Sequence, residues 1–193
     1  MSTSPDLHES EAEVFWGEIS PCEHLVQFYE ADSVFLDTLE GFVRGGLAAG
    51  ESAIVIATPG HRQILEERLT SSGFDLQRAQ LEDQYIALDA EQTLGFFMRD
   101  GWPDDARFYK LVLELLRRAR ADGRKVRAFG EMVAIMWGRG EQGATVRLEH
   151  LWHQLCAAES FSLLCSYPKV GFTQNASESI SQICAAHSKV VPH

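Results

Sequence analysis

The chain has 193 residues, 45% of them hydrophobic, enough for one globular domain with a sizeable core. No apolar run reaches the roughly 18–20 residues that span a bilayer. Met1 to Ser20 carries neither a basic nor an apolar leader segment, so the chain reads as cytoplasmic, without a membrane partner. A net charge of −11 repels phosphate backbones and argues against direct nucleic-acid binding. In that compartment Cys22, Cys156, Cys165 and Cys184 are expected as free thiols.

In chain order, residues 1–20 read as an acidic arm with one apolar cluster, Val14-Phe15-Trp16. Residues 21–193 read as a single domain. His24 to Tyr29 is a first strand. Asp32 or Ser33 caps a helix whose apolar positions Phe35, Leu36, Leu39, Phe42, Val43 and Leu47 recur at helical spacing. Gly45-Gly46 and Gly50 close it and open the wholly apolar strand Ala53 to Ala57, as expected where both faces of a parallel sheet are covered. A helix from Pro59 to Ser72 stops at Gly73. A strand at Tyr85 to Leu88 and a helix from Ala90 to Arg99 follow. Gly101-Trp102-Pro103 breaks the chain. A long amphipathic helix then starts at Asp104 or Asp105, with Phe108, Leu111, Val112, Leu115, Leu116 and Ala119 inward. Val126 to Glu131 is a strand, followed by a short helix to Trp137 and a turn rich in glycine (Gly138, Gly140, Gly143). Leu148, Leu151, Trp152 and Leu155 mark another helix, Ser162 to Tyr167 a strand, and Ser177 to Lys189 a final helix. The alternation predicts an α/β fold: a mostly parallel sheet with helices on both faces. Ligands in such sheets bind beyond the strand C-termini, where the strand order reverses.

The charge is uneven. Residues 1–43 hold ten acids and no Lys or Arg, while the remainder is nearly balanced at 18 acids against 17 bases. Residues 107–127 concentrate eight Lys or Arg. That segment is either a solvated helix face or a docking face for an acidic partner, the chain's own arm included.

Residues 45–69 combine a glycine turn, a buried strand, a loop and a helix, where a RecA-like ATPase cradles phosphates. A P-loop needs G-x-x-x-x-G-K-[ST], because its amides, lysine and hydroxyl hold the phosphates and Mg²⁺. Here the loop is Ala57-Thr58-Pro59-Gly60-His61-Arg62, without the lysine or the hydroxyl that follows it. The sequence also lacks G-x-S-x-G and a G-x-G-x-x-G after a strand. The expectation is a non-enzyme: a RecA-like three-layer sandwich lacking a functional P-loop.

Six motifs in order carry a family resemblance. They are His24-Leu-Val-Gln-Phe-Tyr29-Glu30, Phe42-Val-Arg-Gly-Gly-Leu47 with Gly50-Glu51, Phe129-Gly-Glu131-Met-Val133, Leu148-Glu149-His-Leu-Trp152, Leu164-Cys165-Ser-Tyr167-Pro168 and Cys184-Ala-Ala-His187-Ser. Together they resemble the MEDS domain, the sensory domain named after methanogens, methylotrophs and the regulator DcmR, from about His24 to Val191. The frame at 45–57 and 104–131 is similar to the KaiC branch of RecA-like ATPases, with Glu131 close to their Mg²⁺-coordinating acid. The MEDS resemblance implies prokaryotic signal transduction through sensing of simple organic compounds. Members are commonly fused to DNA-binding or histidine-kinase modules. No output module fits in 193 residues, so the partner is expected in trans.

The expected ligand-binding residues are His24, Tyr29, Glu131, Trp137, Glu149, Cys165 and Tyr167. His24 and Tyr29 stand five apart in a strand and so face opposite ways. Glu131 ends an apolar strand and needs a partner, either an arginine such as Arg127 or a neighbour, or a ligand. Trp137 and Trp152 read as core or as stacking groups. Glu149, Trp152, His153 and Cys156 share one helical stripe. With His150 and Cys165 they offer metal ligands without a C-x₂-C or H-E-x-x-H signature, against a plain Glu149–His153 hydrogen bond and a buried Cys156. Cys165 is either a small buried hydrophobe or a reactive thiol, and Cys184 and His187 an ordinary helical pair. The expectation is therefore a sensor for a small organic effector, with no cofactor and no metal. It would regulate a histidine kinase or transcription regulator, and a homo-oligomer stays open. The rival readings are a nucleotide-binding pseudo-ATPase, a metal- or thiol-based redox sensor, and a scaffold without a ligand.

Overall fold

Six strands gather the apolar runs into one parallel sheet. The computed structural model describes residues 16, 19–20, 22–171 and 177–191. Strands β1 (His24–Tyr29), β2 (Ser52–Ala57), β3 (Tyr85–Asp89), β6 (Val126–Gly130), β7 (Ser162–Pro168) and β8 (Lys189–Val191) lie in the order β3-β2-β6-β7-β1-β8. Every neighbouring pair is parallel. A two-stranded antiparallel ribbon, β4 (Met98–Arg99) with β5 (Trp102–Pro103), stands outside it.

Helices cover both faces. On one side α1 (Asp32–Ala48), α2 (Pro59–Ser71) and α3 (Leu76–Leu81) pack Phe35, Leu39, Phe42, Leu65 and Leu69 against Leu25, Val55, Phe129 and Leu164 of the sheet. On the other side lie α4 (Ala90–Phe97), α5 (Asp105–Ala119), α6 (Met132–Gly138), α7 (Gln142–Glu159) and α8 (Ser177–Ala185). They pack Phe97, Phe108, Leu116, Met136 and Trp152 against Val26, Ile54, Ile56, Leu163 and Cys165. Alternation along each strand sends odd and even positions into different cores, which gives the three-layer α/β arrangement expected.

Local chemistry sets the boundaries. Pro59 opens α2, where its missing N–H costs nothing. The side chains of Asp89 and Asp104 accept from the amides of Gln92 and Arg107 and cap α4 and α5. Gly50 turns the chain from α1 into β2 at a φ of +76°, a left-handed conformation that favours glycine.

Several expectations need correction. Neither Asp32 nor Ser33 caps α1. The cap position is Ala31, and Asp32 sits in the first turn, where its charge suits the helix dipole. Helix α3, capped by Asp75, was not expected; its six residues hold too few apolar positions for a visible period. Gly143 lies inside α7 rather than in a turn. The last helix stops at Ala185 instead of Lys189, because Ser188 donates its N–H to the His24 carbonyl (2.7 Å) and the chain continues as β8.

The basic segment is largely satisfied locally. Arg117 pairs with Glu114, Arg118 with Asp83 and Arg120 with Glu159, and Arg124 donates to Ser52 Oγ and the Glu82 carbonyl. Acids from the first 43 residues meet other cations: Asp37 and Glu40 contact Arg68, Glu30 contacts Lys169 and Glu23 contacts Lys189. Among the described residues, one contact links the arm to the segment. Arg127, buried in β6, donates to the Trp16 carbonyl at 2.6 Å as well as to the Phe42 carbonyl and to Glu51. The Trp16 ring packs edge-on against Phe42. The arm's acids and the Val14-Phe15 pair lie outside the described residues.

Candidate functional site

The chain leaves β2 toward β3 and leaves β6 toward β7, in opposite directions along the sheet. That reversal is where folds of this kind form a ligand crevice, beyond the C-terminal ends of β2 and β6. Glu131, the first residue after β6, crosses it. Its carboxylate accepts from the Thr58 amide (2.8 Å) and the Thr58 hydroxyl (3.4 Å), and lies 2.8 Å from His61 Nδ1. Thr58 is the residue before α2, so the carboxylate sits at that helix's N-terminal end, where backbone donors and the helix dipole favour an anion.

The crevice is polar in front and aromatic behind. His61 packs edge-on against Phe35 at 4.9 Å, Tyr29 stacks on Phe35 at 5.0 Å, and Phe129 follows at 5.6 Å. The hydrogen bond to Glu131 holds the His61 pKa above its ordinary value. Burial, with help from Glu131, pushes the Tyr29 hydroxyl up to about 12, so it stays a proton donor. The His61 side chain remains 20% exposed.

A second constellation lies on the other side of the sheet. His24, Val26 and Phe28 alternate on one face of β1, and the parallel register sets them beside Leu163, Cys165 and Tyr167 of β7. Helix α7 lowers Glu149 onto that face. His187, just beyond α8, arrives beside His24 because β8 pairs with β1, with ring centroids 3.9 Å apart. Glu149 Oε2 lies 3.4 Å from His24 Nε2, 3.3 Å from His187 Nε2 and 3.6 Å from Cys165 Sγ. His24 Nε2 lies 3.4 Å from Cys165 Sγ. Tyr167 donates its hydroxyl to Glu149 Oε1. Trp137 packs edge-on against the Tyr167 ring at 6.2 Å.

The electrostatics of this cluster follow from burial and proximity. Burial alone would raise the Glu149 carboxyl, but His187 and His24 hold it well below the usual carboxylate range. Burial lowers His24. It also works against the charge on His187, where the Glu149 carboxylate outweighs it and raises the pKa. Burial first, then Glu149, drives both the Cys165 thiol and the Tyr167 phenol upward. Four donor atoms, from His24, Glu149, Cys165 and His187, lie within 4.8 Å of one another, a set able to hold a cation.

The seven expected site residues therefore fall into two places. His24, Glu149, Cys165, Tyr167 and Trp137 share one face, while Tyr29 and Glu131 belong to the crevice on the other. The sheet divides them by strand parity. The salt bridge considered between Glu131 and Arg127 does not form: Arg127 turns to Glu51, and His61 pairs with Glu131. The Glu149–His153 bond is also wrong. His153 is exposed and only stacks at 6.0 Å on His24, while Glu149 turns to His24, Tyr167 and His187. Cys156 is buried, donating to the Phe161 carbonyl. His61 is a site residue outside the expected seven, and its signal is its position in the altered P-loop. The spacing to Cys184 predicts a helical partner in His187, yet His187 lies beyond the helix and inside the cluster.

One family's sequence profile, MEDS (MEthanogen/methylotroph, DcmR Sensory domain), matches residues 23–188. The chain belongs to the MEDS family. No curated protein matches it closely enough to count as a relative. A KaiC-like protein from the hyperthermophilic archaeon Pyrococcus horikoshii has a similar fold, with a TM-score of 0.57 at 11% identity. The similarity covers 84% of this chain and 70% of that one. At that identity the likeness carries the RecA-type frame alone, consistent with the frame read from residues 45–57 and 104–131. Among the described residues no helix is long and apolar enough to cross a membrane.

Proposed function

We propose that this MEDS domain senses a small, uncharged organic compound in the crevice beyond β2 and β6, and that it regulates a histidine kinase or transcription regulator in trans from a cytoplasmic location. One observation carries the reading: Glu131, Thr58 and His61 form a hydrogen-bonded set at the reversal of strand order, backed by aromatic rings and open to solvent through His61. Pockets for small ligands have this composition, a few convergent polar groups on an apolar wall. The carboxylate already fills the anion position, which disfavours phosphates and carboxylates and favours neutral donors such as alcohols and amides. For the same reason the domain works without nucleotide hydrolysis.

The test is a panel of short alcohols, ketones and amides added to ¹⁵N-labelled protein. Binding shifts the amide signals of Thr58, His61 and Glu131, and Glu131→Gln removes that response. A panel that leaves those signals in place, or a variant that responds as the parent does, overturns the assignment. Micromolar binding of Mg·ATP would support the pseudo-ATPase alternative instead.

A further inference from the structure

The cluster around Glu149 has more donor capacity than its own protons use. His24 donates Nδ1–H to the Ala186 carbonyl at 2.9 Å, and His187 donates Nδ1–H to the Ile183 carbonyl at 2.5 Å. A carbonyl only accepts, so each neutral ring carries its lone pair on Nε2. Both lone pairs face the same carboxylate oxygen, at 3.4 and 3.3 Å. Two lone pairs against a carboxylate repel unless a proton or a metal cation stands between them. His187 Nε2 is buried without a hydrogen-bond partner. Its side chain and that of Glu149 are fully shielded from solvent.

The spacing fits one cation. Zinc binds imidazole nitrogen, carboxylate oxygen and thiolate sulfur at about 2.0–2.3 Å, so the edges of its tetrahedron measure about 3.3–3.8 Å. Four of the six edges here are 3.3, 3.4, 3.4 and 3.6 Å, and the remaining two lie within 4.8 Å. The surroundings fit as well. Carbonyl acceptors on Nδ1 and a hydroxyl on the second carboxylate oxygen are the outer partners that orient metal ligands. A dication also balances one carboxylate and one thiolate, leaving the buried centre neutral.

We propose that His24, Glu149, Cys165 and His187 form a closed, four-ligand site for a transition-metal dication, zinc by its chemistry. Two imidazoles and a thiolate select zinc and its neighbours over magnesium or calcium, which want oxygen. Four protein ligands leave no open position, the hallmark of a structural centre. The metal joins β1, β7 and α7 to the segment that carries β8, fastening the C-terminal edge of the sheet. The site lies across the sheet from the crevice and does not rest on the effector reading.

The test uses the full chain, produced without a histidine tag. Elemental analysis and native mass spectrometry are expected to show one zinc per chain, and apoprotein to bind zinc tighter than about 1 nM. Cobalt substitution is expected to give tetrahedral visible bands with a thiolate charge-transfer band in the near ultraviolet. Cys165→Ser loses that charge-transfer band. His187→Gln loses the metal, while His153→Ala, at an exposed neighbour outside the set, keeps it. Tyr167→Phe keeps the metal but weakens zinc binding about 10–100-fold. If His187→Gln fails to fold, the cobalt spectrum of the unaltered protein still decides. Octahedral bands without a thiolate transition overturn the proposal. So does apoprotein that takes up no zinc, or zinc retained equally by Cys165→Ser and His187→Gln.

Discussion

Replacing Glu131 with glutamine tests the crevice most directly, because size is kept and charge removed. The carboxylate accepts two short bonds, from the Thr58 amide and from His61 at 2.8 Å each, and a longer one from the Thr58 hydroxyl. A hydrogen bond to a charged group contributes roughly 1.5–3 kcal/mol, against about 1 for a neutral pair. His61 reaches solvent, which reduces the difference, so the net loss is about 1–2 kcal/mol. For a chain of this length that lowers Tm by about 2–8 °C. The loss depends on pH with a definite sign. The folded pKa of His61 is raised above 6.5 by Glu131. The pair's stabilisation is therefore complete below the unfolded value and disappears as pH rises through the folded one. Denaturant unfolding is thus expected to show a larger penalty near pH 6 than near pH 9, roughly either side of that window. In parallel, NMR titration of the His61 ring follows its midpoint, which falls in the variant. An unmoved midpoint refutes the pairing. A loss above about 4 kcal/mol, equal at both pH values, refutes the view that Glu131 serves a site rather than the core.

Further outcomes follow from other contacts. Calorimetry is expected to find no Mg·ATP affinity tighter than about millimolar, about −4 kcal/mol, since the loop lacks lysine and Glu131 blocks the anion position. Arg127→Met strips the partner from Glu51 and from the Phe42 and Trp16 carbonyls, costing about 3–5 kcal/mol in urea unfolding; adding Glu51→Gln is expected to recover part of it, and a purely additive double mutant would refute the coupling. Gly46→Ala drives its Cβ to 2.7 Å from Arg127 Cδ and costs about 1–3 kcal/mol. Gly95→Ala, on α4 with nothing within 4 Å, gains roughly 0.5–1 kcal/mol. Thermal melts with the same sign for both substitutions would contradict that reading of the space around them.

Much of the frame is written locally. Ala53 to Ala57 is apolar at every position, as a strand covered on both faces must be, and the helical spacing from Phe35 to Leu47 marks α1 without reference to anything else. The missing lysine in Thr58 to Arg62 is likewise plain from the letters, as is the run of motifs from His24 to His187 that the family profile matches. These signals rest on near-neighbour periodicity and on residue chemistry, which one chain carries by itself.

The sites were decided by long-range geometry. His24 and His187 are 163 residues apart in sequence, and they meet because β8 adds to the edge of β1 in one register. That edge pairing also ended the last helix four residues before Lys189, against its local pattern. Glu131 follows β6 at the same parity as Arg127, yet the burial of Arg127 beneath α1 commits it to Glu51 and leaves Glu131 to His61. Strand parity then places the sheet between the Glu131 crevice and the Glu149 cluster. A period of two shows that His24 and Tyr29 face apart. Only the order of the strands, and which helices cover each face, determine what each of them meets.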